Sequence, residues 1–226
     1  MCRNLNTLGW LHIECGDLDR GLELNARALA LARRDKHATG AERAAFTLLN
    51  EADAFIAKGD LAAASEKLGE ALQIVRHPPP SRWMTWRYST HCYASLGELA
   101  LARGDPATAD GFADQSLEIA VPTRSRKFES RAWRVKGESA RMRLHWDEAE
   151  QALRHSLAIA QEIDEPRQLW KSHVATGRLN QERKRVEAAD RSHRAANEIL
   201  ERLLQSVGDP GLRAGLELQL RSLRAL

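Results

Sequence analysis

The chain has 226 residues, enough to bury a substantial core. Aromatic residues make up only 5% of it, and Val and Ile are scarce beside Ala, Leu, Arg and Glu, so strand formers are lacking and an all-α fold is the expected class. The net charge of +3 is uneven, with 13 basic against 16 acidic side chains in residues 1–120 (net −3) and 21 against 15 in residues 121–226 (net +6), a polarity milder than the concentrated basic stripe of a nucleic-acid binder.

In chain order, a pattern recurs: a small residue within one helical stretch, a Gly that closes it, a bulky apolar residue two places on, and small residues along the next stretch. The first unit reads Gly9, Gly16, Leu18, Gly21, Ala28; the second Ala52, Gly59, Leu61, Ala64, Ala71; the third Gly97, Gly104, Pro106, Ala109, Ser116. The fourth reads Gly137, Leu144, Trp146, Ala149, Ser156, and the fifth Gly177, Lys184, Val186, Ala189, Ala196. Turn positions 16, 59, 104, 144 and 184 are offset by 43, 45, 40 and 40 residues, giving five helix pairs at about 2–36, 39–77, 81–121, 122–163 and 165–206 within one domain. Proline marks the boundaries: His77-Pro78-Pro79-Pro80, Val121-Pro122 and Asp164-Glu165-Pro166 cannot continue a helix. Asp60 and Asp105 are expected N-caps of the second helices, whereas Leu144 and Lys184 in place of the turn Gly predict a different turn in units four and five. After Gly208-Asp209-Pro210, residues 209–225 form a final helix with Leu212, Leu216, Leu220 and Leu223 on one face, suited to covering the end of the stack. The first helix has no predecessor over Leu5 and Leu8, so an open edge is expected there, inviting another repeat, a partner or self-association.

These small residues, with Tyr93 and Trp133 four places before Gly97 and Gly137, make the chain similar to the tetratricopeptide repeat family, in units longer than its usual length. The resemblance implies a right-handed α-solenoid of antiparallel helix pairs, a superhelix closed by a capping helix, that binds proteins and carries no catalytic centre. Arg167-Gln168-Leu169-Trp170, Gly177-Arg178-Leu179 and Ser206-Val207-Gly208-Asp209-Pro210-Gly211-Leu212-Arg213 further resemble the C-terminal repeat regions of bacterial signalling proteins that combine an ATPase module with an adenylate cyclase or kinase domain. That second resemblance implies a regulatory module, detached or truncated from such a protein.

No phosphate-binding GxxxxGK[ST], GxGxxG or GxSxG motif and no HExxH is present, so neither enzyme chemistry, a cofactor nor a metal is expected. Cys2, Cys15 and Cys92 are widely spaced and form no CxxC pair, pointing to a reducing compartment. With no long apolar run and no signal peptide, a cytoplasmic location without membrane contact is expected. Cys15, at a helix C-terminus, should have a raised pKa.

The family resemblance lines a concave groove with Asn6, Trp10 and Ile13; Phe46, Leu49, Asp53 and Ile56; His91, Ala94, Glu98 and Leu101; Arg131, Arg134, Glu138 and Arg141; and Lys171, Val174, Arg178 and Gln181. The groove would run from apolar and weakly acidic to basic, its five cations fitting an acidic segment or a free carboxylate of a protein or peptide partner. Two alternatives stay open. The arginines could form local pairs such as Arg134–Glu138 on a solvated face, or the basic half could sense a small ligand or nucleic acid, though nucleic acid is the less expected partner.

Overall fold

The computed structural model describes residues 1–35, 37–78 and 85–225, and among these it is helical throughout. Eleven helices follow one another: α1 (Cys2–Glu14), α2 (Leu18–Arg34), α3 (Ala38–Lys58), α4 (Leu61–Arg76), α5 (Thr85–Ala102), α6 (Pro106–Ala120), α7 (Arg126–Met142), α8 (Trp146–Glu162), α9 (Pro166–Glu182), α10 (Val186–Ser206) and α11 (Pro210–Arg224). Each helix packs on the next, and the odd helices α1, α3, α5, α7 and α9 also touch their odd neighbours, while the even ones meet chiefly the odd helices that flank them. The odd helices are therefore the closer-packed layer, the one that lines the inside of a curved stack. The architecture is an all-α, repeat-like solenoid.

Close packing comes from the small residues. Ala28, Ala71, Ser116, Ser156 and Ala196 are fully buried, as are Ala52, Ala64, Ala109 and Ala149. Where the small residue is Ser, its hydroxyl is satisfied across the interface: Ser116 Oγ donates to the Thr90 carbonyl (3.1 Å), and Ser156 Oγ to the Ser130 carbonyl (2.8 Å). A buried hydroxyl left without such a partner would cost about 1–3 kcal/mol.

The turn within each pair has the same backbone in all five units. The amides of Gly16, Gly59, Gly104, Leu144 and Lys184 donate to the carbonyl three residues back, and the following amide donates to the carbonyl five residues back, the doubly bonded helix end of a Schellman turn. All five turn residues have positive φ, 90°, 78° and 76° for the glycines and 63° and 56° for Leu144 and Lys184. The expectation of a different turn in units four and five is thus corrected: the small residues on either side bring the helices together, and that packing holds Leu144 and Lys184 in a conformation that L-residues seldom adopt. The caps do differ. Asp17, Asp60 and Asp105 accept from the Arg20, Ala63 and Thr108 amides, whereas His145 and Arg185 make no capping bond.

The ends of the stack meet. Arg213 Nη1 donates to the carbonyls of Leu204 and Val207 at 2.7 and 3.0 Å, fixing α11 to the end of α10. From there α11 reaches α1: Leu212, Leu216 and Leu220 share a cluster with Cys15 and Leu11. A Cβ on Gly215 would lie 2.5 Å from the Cys15 carbonyl oxygen, so only glycine permits this approach of two backbones. The cap expected over one end of the stack therefore bridges both, and the edge expected to be open is covered at the C-terminal end of α1. Leu5 packs on the core, and of the large apolar side chains described at this edge only Leu8, at 43% exposure, and Met1 stay out in solvent. The prolines at 79 and 80 and the start of the third unit lie outside the described residues; Pro166 opens α9 at its first turn, where its missing N–H has no helical acceptor to lose.

Candidate functional site

The inner layer brings most of the expected groove residues together, but as partners of one another. Arg131, buried on α7, is the centre. Its Nη1 and Nη2 reach both oxygens of Asp53 on α3 (3.1 and 2.9 Å), and its Nε reaches Glu98 on α5 (3.0 Å). Asp53 is also met by His91 Nε2 (2.8 Å) and by Ser95 Oγ (2.6 Å), and Arg134 Nη2 donates to Glu98 (2.6 Å). Burial disfavours the charge on Asp53, yet Arg131 and then His91 hold its carboxyl well below the usual range; burial likewise opposes Glu98, which Arg131 and Arg134 bring down to about 2. This is a three-helix ion cluster whose members are costly apart and stable together.

Toward the C-terminal side the ladder continues. Arg141 pairs with Glu138 (2.7 Å) and with Glu182 on α9 (2.5 Å), and Arg178 lies 3.8 Å from Glu138. In place of the local Arg134–Glu138 pair, Arg134 crosses to Glu98 of α5, and Glu138 keeps a local partner in Arg141. On the α1 side, Trp10 donates to its own Glu14 (3.1 Å), and Glu14 faces Lys127 at 3.7 Å and Lys171 at 3.8 Å. The Trp10 ring lies against Lys127 Nζ and Arg167 Cζ, 4.6 and 4.3 Å from its centroid, in cation–π range. Burial opposes the Glu14 charge, but Lys171, Lys127 and Arg167 bring its carboxyl down to about 2.

Other expected groove residues have structural places. Asn6 donates to Asn25 and Thr47, Phe46 meets Tyr88 edge-on, Leu49 and Ala94 are buried, and Ile13 and Ile56 pack into the core. The cysteines are buried too, Cys15 raised mainly by burial rather than by its helix end, and Cys92 pushed up to about 12 by burial and by Asp53.

Between α5, α7 and α9 a cavity of about 370 Å³ remains. Leu101, Ala102, Met142, Trp170 and Val174 give it apolar walls, and its charged residues are Arg134, Arg141, Lys171 and Arg178 with the carboxylates Glu98 and Glu138. Trp170 Nε1 and Arg134 Nε are buried donors with no acceptor among the described residues. Lys171 and Arg178 keep 35% and 49% of their side chains exposed and have carboxylates no nearer than 3.8 Å. The cavity is therefore rich in donors and cations that the chain itself satisfies only in part. No group of three metal-ligating residues occurs among the described residues, and none of their helices is long and apolar enough to cross a membrane.

Glu14, Ala102, Met142 and Glu182 are not among the expected groove residues, although each stands five residues after the small residue of its unit's first helix, Gly9, Gly97, Gly137 or Gly177, a place that the resemblance puts on the groove. Lys127 and Arg167 carry no such signal, because they stand in the first turns of α7 and α9, outside the positions that define the groove.

No family model matches the sequence, and no curated protein matches it. Among solved structures, the chain is similar to one described as BtubC (BKLC) from P. vanneervenii, with a TM-score of 0.63 and 19% identity over 92% of this chain and 83% of that one. The likeness is one of fold. Both chains share an all-helical architecture over nearly their whole lengths, and the side chains of the inner layer must speak for themselves.

Proposed function

We propose that the protein is a non-catalytic interaction scaffold of the tetratricopeptide type, which takes a carboxylate-bearing segment of a partner protein into the cavity between α5, α7 and α9. The observation that carries this reading is the surplus of donors there: Trp170 Nε1 and Arg134 Nε lack acceptors among the described residues, and Lys171 and Arg178 have only long contacts. A carboxylate supplies acceptors for such groups, and the Leu101, Met142 and Val174 walls suit an apolar side chain beside it. The cations named from the sequence divide accordingly: Arg131, Arg134 and Arg141 hold the fold together, while Lys171 and Arg178 are left for a partner. The resemblance of Arg167–Trp170 and Ser206–Arg213 to repeat regions of bacterial signalling proteins supports a regulatory, cytoplasmic role.

The test is fluorescence polarisation with acidic peptides carrying a free or an amidated C-terminus. Arg178→Ala should weaken binding about tenfold, ~1.4 kcal/mol, and leave the melting temperature unchanged. Binding that is indifferent to Arg178 and Lys171 but falls steeply with salt and prefers oligonucleotides would replace this reading with the nucleic-acid one.

A further inference from the structure

The stack is joined into a ring by two contacts between its first unit and its C-terminal half. One is the α1–α11 joint, where Gly215 lies against Cys15 and Gly16 and Leu216 against the Cys15 cluster. The other is the reach of Trp10 and Glu14 to Lys127, Arg167 and Lys171. Both carry a buried oxygen with no hydrogen-bond partner among the described residues, Gln219 Oε1 at the joint and Glu14 Oε2 at the cations. A contact that closes over such atoms gives up hydration it does not replace, so opening returns part of what closing gains. The neighbouring attachments are firmer. Arg213 fixes α11 to the end of α10, and α1 packs along both α2 and α3. Separation is thus easiest between α1 and α11.

Glu14 has a second role in the closed ring: its carboxylate faces Lys171, a residue of the cavity assigned above. We infer that the closed ring is a self-inhibited state, in which Glu14 of α1 occupies Lys171 of the inner groove, and that parting of α1 from α11 releases this cation to the acidic segment of a partner. The partner is then a competitor of Glu14, and its apparent affinity falls with the fraction of molecules that are closed. This inference rests on the cavity reading of the preceding section.

Two variants fix the two states. Gly215→Leu places a side chain where a Cβ already meets the Cys15 carbonyl at 2.5 Å, and should part the joint. The pair Asp17→Cys with Gly211→Cys should lock it, because a Gly211 Cβ would lie 3.3 Å from Asp17 Oδ2. Comparing this protein oxidised and reduced isolates the bond from the loss of the Asp17 cap. Opening is read by alkylation of the buried Cys15, and binding by a short Glu-rich peptide with a free C-terminus. The expected result is Cys15 labelling and about tenfold tighter binding in Gly215→Leu, with about tenfold weaker binding in the oxidised lock than in its reduced form. Glu14→Gln should mimic opening in binding without exposing Cys15. Equal affinity of locked and reduced protein, with Arg178→Ala still weakening binding about tenfold, would overturn the gate and leave the cavity reading standing. No binding by any form, with Cys15 labelled in Gly215→Leu, would overturn the cavity reading and the gate together. An unlabelled Cys15 in a folded Gly215→Leu would overturn the joint as the place of opening.

Discussion

Units one to three and units four and five reach the same turn by different chemistry. The first three have Gly at the left-handed position and an Asp cap on the following helix; the last two have Leu144 or Lys184 there and uncapped helix starts at His145 and Arg185. Their interiors differ as well. Units one and two, with α5 of unit three, share one broad cluster rich in Ala and Leu, whereas the C-terminal units have smaller clusters interleaved with the Ser130, Ser156 and Ser172 hydroxyls. The turn geometry survives loss of its own local signals because the packed helices on either side impose it. Local chemistry in such a stack adjusts stability more than it chooses shape.

The two regions are coupled by Arg131, so its removal is the strongest way to break the comparison. Arg131→Ala leaves Asp53 and Glu98 buried without their shared guanidinium and should cost about 3–5 kcal/mol in urea denaturation. Replacing Asp53, Glu98 and Arg131 together by apolar residues should cost much less, because no charge is then stranded. If the single and triple variants lose the same stability, the cluster is not the coupling element.

Acid should act on the same coupling. Glu14 and Glu98 are both held down to about 2, below the ordinary carboxylate value, so their contribution is present above the unfolded value and is lost as pH falls toward about 2. For Glu14 the lowering from the ordinary 4.5 to about 2 corresponds to on the order of 3 kcal/mol. Melting temperature should therefore drop steeply below about pH 4.5. Glu14→Gln should flatten that drop, since its side chain has no proton to gain. An unchanged acid limb would show that Glu14 is not held by its three cations in solution.

The helix count, the pairing and the turn positions were legible in the sequence because small residues at fixed spacing have one structural use, the close approach of two helices. Ring closure was not. It depends on Gly215 meeting the Cys15 carbonyl across 200 residues, and nothing in either segment encodes the partner. The groove was legible in position and obscured in character: Arg131, Arg134 and Arg141 are where the register places them, but the acids of Arg131 and Arg134, and one of the two acids of Arg141, sit on other helices. A charge count along one helix cannot see Asp53 of α3 beside Arg131 of α7. Lys171 and Arg178 keep spare capacity because the carboxylates that reach them, Glu14 and Glu138, come no closer than 3.8 Å.

The smallest expected effect isolates the turn itself. Gly59 and Leu144 occupy equivalent left-handed positions, and a Cβ on Gly59 would meet nothing within 4 Å, so its substitution tests backbone conformation free of steric clash. Gly59→Leu should destabilise by about 1 kcal/mol, and Leu144→Gly should stabilise by up to about 1 kcal/mol, since glycine alone adopts positive φ without a Cβ penalty. Leu144 is 64% exposed, so its loss removes little packing that could mask the gain. The double variant should return close to the parent stability, because the two turns share no contacts and their effects add. Should Leu144→Gly prove destabilising instead, then the Leu144 side chain holds the fourth turn by a contact of its own, and the units differ in how the turn is stabilised as well as in which residue forms it.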